Sequence, residues 1–202
     1  MQIIGVVGQS GSGKGELCRR LCDYGYLHLD TDRIYHTLLA ESAPLRGDLV
    51  AAFGADILRD GQIDRGILRQ KVFGEKNRKN LAKLNKITHR YVCAEVVARI
   101  MAAKRTDCVG VLIDAPLLFH ARLDRLCDAV VYVDAPKEVR MARIMARDGI
   151  SAAAAEARIR AGEPLSPRRL ARCAYFIEND EECDLDRAAG DLAAALRQGG
   201  AS

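Results

Sequence analysis

Gly8-Gln9-Ser10-Gly11-Ser12-Gly13-Lys14 follows the apolar run Ile3–Val7 and precedes a stretch of helical character, so it fits a G-x-x-x-x-G-K phosphate loop in its strand–loop–helix setting. Glycines let successive backbone N–H groups turn around polyphosphate oxygens, and the following helix offers its positive N-terminal end to the same anion. Lys14 then reaches the β- and γ-phosphates. The ATP-binding set read from this stretch is Gly8, Ser10, Gly11, Ser12, Gly13, Lys14, Gly15 and Glu16. Gly15 stands where a Ser or Thr hydroxyl normally ligates Mg²⁺, and Glu16 or a water is a candidate to fill that place.

Carboxylates at strand ends come next. Asp30-Thr31-Asp32 closes the second apolar run, where an acid can take a proton from a substrate hydroxyl or hold a metal-bound water. Asp114 closes the third run and suits a Mg²⁺ shell, directly or through water. Each has an alternative use as a cap for the following turn or helix, and Asp134, close to Pro136, is read as a cap. His89 lies on a helical stretch, and spacing alone gives it no role beyond a structural or solvated one.

These residues need a scaffold that gathers strand ends. Apolar, β-prone runs at Ile3–Val7, Tyr26–Leu29, Val109–Ile113, Ala129–Val133 and Tyr175–Ile177 alternate with helical patterns. That alternation predicts an α/β fold: a five-stranded parallel sheet covered on both faces, with the phosphate loop and the acids along its carboxyl rim. Between Asp32 and Arg105 the pattern predicts several helices and no strand, with apolar residues at 81, 84, 87, 91, 94, 98 and 101 as one stripe. Pro136 is expected at the first position of a helix that carries Arg140, Arg143 and Arg147 on one face. An alanine-rich helix over Ser151–Ala161 and a last packing helix over Asp184–Leu196 complete the pattern.

Composition narrows the field. The chain of 202 residues is 49% hydrophobic and has no apolar run near membrane-spanning length, so a soluble protein without a membrane span or signal peptide is expected. Net charge is only +4, yet eight arginines face three acids between Arg140 and Arg172, which points to an anionic partner rather than nucleic acid. Seven cysteines without a C-x-x-C pair suit reduced thiols in the cytoplasm. Cys18 and Cys22 could share a helical face, but no further ligand cluster follows them in sequence.

Taken in order, these motifs resemble the dephospho-CoA kinase family over about residues 2 to 195. The resemblance is carried by Gly8–Lys14, Asp30-Thr31-Asp32, Phe53-Gly54-Ala55-Asp56-Ile57-Leu58, and Asp60-Gly61-Gln62-Ile63-Asp64-Arg65 with Leu68 and Phe73. It continues through His89, Asp114-Ala115-Pro116-Leu117-Leu118-Phe119, Arg143, Arg147-Asp148-Gly149 and Ile177-Glu178-Asn179. It implies a P-loop NTPase three-layer fold with a core (about 1–31, 106–138 and 173–202), a helical CoA-binding insert (about 32–105) and a lid (about 139–172). It implies ATP-dependent phosphorylation of the ribose 3′-hydroxyl of dephospho-CoA, the last step of coenzyme A biosynthesis, with Mg²⁺.

Asp32, Lys14 and Arg143 match the family's catalytic positions, and Arg143, Arg147 and Asn179 its further ATP contacts. Asp32, His89, Leu117, Leu118 and Phe119 match positions lining the acceptor site, while Asp32 and Asp114 match the metal shell. No nucleic acid or membrane partner is implied, and a monomer or weak homo-oligomer is expected. Gly15, Arg90, His120, Arg140, Glu163 and Cys173-Ala174 depart from the family pattern. They keep open two other readings: a catalytically impaired relative that binds nucleotide or CoA, and a phosphate-loop kinase for another nucleoside.

Overall fold

The computed structural model describes residues 1–72, 77–162 and 164–199, with only the backbone at Arg78. Phe73 and Glu163 lie outside the described residues. The chain forms two compact units, one of residues 1–30 and 100–202 and the other of residues 31–99.

The first unit is built on five parallel strands: β1 (Gln2–Val7), β2 (Tyr26–Asp30), β5 (Gly110–Asp114), β6 (Ala129–Asp134) and β7 (Tyr175–Glu178). Their order is β2-β5-β1-β6-β7. All five expected strands form within one residue of their apolar runs. The register pairs Val6 with Asp114 and Asp30 with Asp114, so the acids that end β2 and β5 are neighbours on the rim. Interior β5 is buried at every position, as a strand covered on both faces must be. The edge strands differ from that expectation: Leu27 is 41% and Phe176 60% exposed, because an outermost strand has less cover.

Helices α1 (Lys14–Cys22) and α9 (Leu185–Gly199) contribute Leu17, Cys18, Leu21, Leu192 and Leu196 to one core with Ile4, Leu112 and Val131. Asp184 opens α9, accepting from the N–H groups of Asp186 and Arg187 at 3.1 and 3.0 Å. Helix α6 spans Lys137–Asp148, so Pro136 is its cap residue and not its first helical one. Gly149 ends α6 in the left-handed region, and Ser151 caps α7 (Ala152–Ala161) by accepting from the Ala154 N–H at 3.3 Å. A short helix α8 (Pro167–Leu170) follows.

The second unit begins with α2 (Thr31–Glu41), α3 (Ala43–Phe53) and α4 (Arg65–Val72), and most of α5 (Arg78–Ala103) belongs to it. Leu39, Leu45, Leu49, Phe53, Ile57, Leu68, Val72 and Leu84 form its core. Two findings correct the sequence reading. A small antiparallel hairpin, β3 (Leu58–Arg59) with β4 (Gln62–Ile63), stands where no strand was expected. It turns at Asp60-Gly61, both with positive φ (51° and 75°), the Asp-Gly preference of a two-residue hairpin. The apolar stripe of α5 also holds only in its first half. Leu84, Thr88, Val92, Val96, Ile100 and Ala103 are buried, while Ala94, Ala98 and Met101 are exposed. Steps averaging fewer than 3.6 residues slide around the axis by about 160° between Leu81 and Met101, which puts the two on nearly opposite sides.

Candidate active site

The phosphate loop is shaped by its glycines and by what packs on them. Gly13 has φ 91°, and a Cβ there would collide with the Asn179 side chain. A Cβ on Gly11 (φ 82°) would stand 2.6 Å from the Arg140 carbonyl. Only glycine meets both the backbone and the space requirement at these two positions. Within the loop Ser12 N–H donates to the Gln9 carbonyl at 3.1 Å, and Glu16 and Leu17 N–H both donate to Gly13 O at 3.0 Å. Among the described residues nothing accepts from the N–H groups of Gly11, Gly13, Lys14 and Gly15. These donors at the start of a nine-residue helix, with no side-chain cap on Gly13, are what a polyphosphate requires.

Two residues, one directly after β7 and one on α6, hold the loop. Asn179, 4% exposed, donates its side-chain amide to Ser12 O at 2.8 Å. Arg143 donates to Asn179 O at 2.9 Å, to Asn179 Oδ1 at 3.4 Å and to Asp180 O at 3.1 Å. Its Nη1 stands 3.7 Å from where a Gly13 Cβ would be, so a guanidinium flanks the loop. The three arginines of α6 do not share one solvated face. Arg140 is buried, with Nε on the Ala135 carbonyl at 3.0 Å and Nη1 unpartnered, whereas Arg147 is exposed and bound to Asp148 at 2.8 and 3.0 Å. Arg147 and Arg158 together hold the Asp148 carboxyl below the usual range, Arg147 first.

On the rim, Asp114 is buried and lies 3.5 Å from His28 Nε2. Its Oδ2 is also 3.5 Å from where a Gly15 Cβ would stand, with no other heavy atom within 4 Å of that point. The Cys18 thiol is pushed well up, mainly by burial and then by Asp114, while Lys14 pulls it back and Asp30 adds to the rise. Cys18, His28 and Asp114 have ligand atoms within 4.8 Å of one another. This cluster escaped the sequence reading, which paired Cys18 with Cys22; Cys22 is exposed, and its thiol bonds the Cys18 carbonyl at 3.2 Å. Asp134 accepts from the Ala135 N–H at 2.9 Å, a local cap as expected.

The remaining candidates fall as follows. Ser10 is half-buried and the Ser12 hydroxyl is buried without a partner. Glu16 is ion-paired with Arg19 and Arg20 through both carboxylate oxygens, so its carboxylate serves α1 and does not take the missing hydroxyl's place. Leu117 is 44% exposed and Phe119 half-buried, flanked by the Arg172 and Arg169 guanidiniums at 5.3 and 6.0 Å from its ring centre. Leu118 instead is fully buried against Gly5, as core: the turn after β5, closed by the Leu118 N–H donating to the Ala115 carbonyl at 3.2 Å, brings it inward three residues after buried Ala115. Asp32, in the first turn of α2, and half-buried His89 on α5 belong to the second unit. That unit holds a cavity of about 380 Å³ lined by Tyr35, His36, Leu39, Arg65, Arg69 and Leu84, among others. Among the described residues no helix is long and apolar enough to cross a membrane.

Comparison with known proteins identifies the family and the fold. Residues 2–184 match the family model described as dephospho-CoA kinase. The chain is 40% identical over 191 residues to a dephospho-CoA kinase of Moorella thermoacetica, covering 93% of this chain and 88% of that one. Among solved structures it is similar to TT1252 from Thermus thermophilus, at 28% identity and a TM-score of 0.77 over 98% of this chain and 97% of that one. The dephospho-CoA kinase from Campylobacter jejuni, at 24% identity, TM-score 0.69 and 98% coverage of both chains, shares the fold.

Proposed function

The chain belongs to the dephospho-CoA kinase family, and we propose that its loop, rim acids and arginines transfer the ATP γ-phosphoryl group to the ribose 3′-hydroxyl of dephospho-CoA. The observation that carries this reading is the set of N–H groups at Gly11, Gly13, Lys14 and Gly15, without a protein acceptor among the described residues. They bind the β- and γ-phosphates, and Lys14 neutralises charge there. Asp32 accepts the proton of the 3′-hydroxyl or orients that hydroxyl as the O–P bond forms and the bond to the ADP oxygen breaks. Arg143, beside Gly13, stabilises the charge spread over the transferring group, and the segment 139–172 that carries it and Arg147 acts as the lid that excludes water.

The donor chemistry fits Mg²⁺. Asp114 presents a buried carboxylate beside Gly15, and Asp30 ends the adjacent strand. We assign the metal to Asp114 and Asp32, through water, with Gly15 supplying no ligand. When bound, the ion draws charge from the phosphate oxygens. Residues 32–105 form the CoA-binding insert, with His89, Leu117 and Phe119 at the acceptor. The cavity bearing Arg65 and Arg69 is a cationic, partly apolar place for part of the same substrate. Seven free cysteines support the cytoplasm as its compartment, where it acts as a monomer or weak homo-oligomer.

An acceptor panel at fixed ATP and Mg²⁺ tests the assignment. CoA should form from dephospho-CoA well above a Lys14→Ala control, with adenosine and other nucleosides far slower. Equal rates on another nucleoside would reject the acceptor assignment. A second reading, a binding protein with impaired turnover, is favoured by the missing hydroxyl at Gly15. It requires an inert parent and an active Gly15→Ser variant.

A further inference from the structure

Cys18 and His28 are not used by the reaction as derived, yet together with Asp114 their chemistry is that of a ligand set. Cys18 lies one helical turn beyond Lys14 on α1, on the same face. His28 lies two residues before Asp30 on β2, hence on the same side of the strand, and Asp114 ends the neighbouring β5. Phosphate-loop helix, edge strand and the interior strand beside it thus each send one donor to a common point. The thiol is fully buried, and His28 Nε2 is buried with no hydrogen-bond partner, though Asp114 Oδ2 is 3.5 Å away.

We propose that Cys18, His28 and Asp114 form a binding site for a thiophilic divalent cation of the zinc class. Zinc bond lengths of about 2.0–2.3 Å to sulfur, nitrogen and oxygen set tetrahedral ligand-to-ligand separations of about 3.3–3.6 Å. The cluster, with all three donors within 4.8 Å, reaches these by small side-chain adjustments. One thiolate, one imidazole and one carboxylate suit zinc and not Mg²⁺, which takes oxygen donors in octahedral array. Beyond its chain neighbours and its own helix backbone, a Cβ at Gly15 would meet only Asp114 Oδ2 within 4 Å, so there is space at Gly15 beside that oxygen. A water enters there as fourth ligand. An ion so held ties α1 to the rim and withdraws Asp114 from Mg²⁺, so it lowers turnover; that consequence rests on the role given to Asp114 above.

Cobalt(II) tests the site by absorption. One equivalent added to the reduced, metal-free full chain should give a thiolate-to-cobalt charge-transfer band and the strong visible bands of four-coordinate cobalt, both erased by equimolar zinc. Cys18→Ala and His28→Ala should each abolish them, and Cys22→Ala should keep them, with circular dichroism checking the fold of every variant. A wild-type chain without the charge-transfer band, or a band that survives Cys18→Ala in folded protein, overturns the proposal. Zinc at site-filling concentration should inhibit CoA formation by the parent and spare Cys18→Ala. Cobalt bands as described with turnover untouched by zinc would uphold the site and reject the catalytic role of Asp114. Absence of cobalt binding would leave that role standing.

Discussion

Asn179 and Ser12, 167 residues apart in sequence, are joined by a buried hydrogen bond of 2.8 Å from the Asn179 amide to the Ser12 carbonyl. The same asparagine takes the Arg143 guanidinium on its own carbonyl and side-chain oxygen, at 2.9 and 3.4 Å. The far edge of the sheet thereby fixes the phosphate loop and an arginine beside it in one arrangement. Asn179→Ala leaves the Ser12 carbonyl buried without a partner, a loss of about 1–3 kcal/mol from the bound geometry, so ATP affinity should fall about tenfold or more. Titration of ATP into the variant checks this, and unchanged affinity would reject the bracket.

Gly15→Ser should be accommodated without strain. Gly15 is an ordinary helical position, and the new Cβ would stand 3.5 Å from Asp114 Oδ2, an ordinary van der Waals distance. The added hydroxyl lies where a metal ligand is wanted. The variant should need several-fold less Mg²⁺ for half-maximal rate at fixed ATP, read from initial rates across a Mg²⁺ series. An unaltered Mg²⁺ curve would show that Asp114 and Gly15 do not border the metal.

Gly47 in α3 gives a stability prediction. It is exposed, its φ is not positive, and a Cβ there meets nothing within 4 Å. Gly47→Ala should raise stability by about 0.5–1 kcal/mol, because glycine loses more backbone freedom on entering a helix. The midpoint of urea unfolding should move up without a change in slope. A downward shift would contradict the placement of this turn.

Acid should weaken the chain through its caps and pairs. The Ile67 N–H first, with that of Gly66, holds the Asp64 carboxyl below its usual range, and the Lys71 ammonium does the same for Asp56. A carboxyl lowered in the folded state contributes stability that is present above the unfolded-state pKa of about 3.9 and is lost as pH falls through the lower folded value. Unfolding midpoints should therefore drop below about pH 4. Asn also caps helices but does not titrate there, so Asp64→Asn should make the drop shallower. An identical pH profile for that variant would reject the assignment.

Local patterns proved legible where one stretch of chain settles the outcome. The strand β1, the glycine-lysine loop and the start of α1 are contiguous, and the five apolar runs became the five strands because burial on both faces leaves few polar residues in them. The hairpin at Asp60-Gly61 was signalled by that dipeptide, but its two-residue strands are too short to show alternation. Met101 was misplaced because a stripe counted in threes and fours drifts over a 26-residue helix. Asn179 on Ser12, Leu118 over Gly5, and Cys18 with His28 and Asp114 were hidden for one shared reason. Each joins residues far apart in the chain, and only the strand order brings them together.

Calorimetric titration of ATP, with and without Mg²⁺, into the parent chain and Lys14→Ala tests the central claim most directly. The account predicts saturable one-to-one binding by the parent, and affinity at least tenfold weaker once the lysine is gone, a difference of about 1.4 kcal/mol or more. No heat of association from the folded parent at millimolar ATP, in either condition, would contradict it.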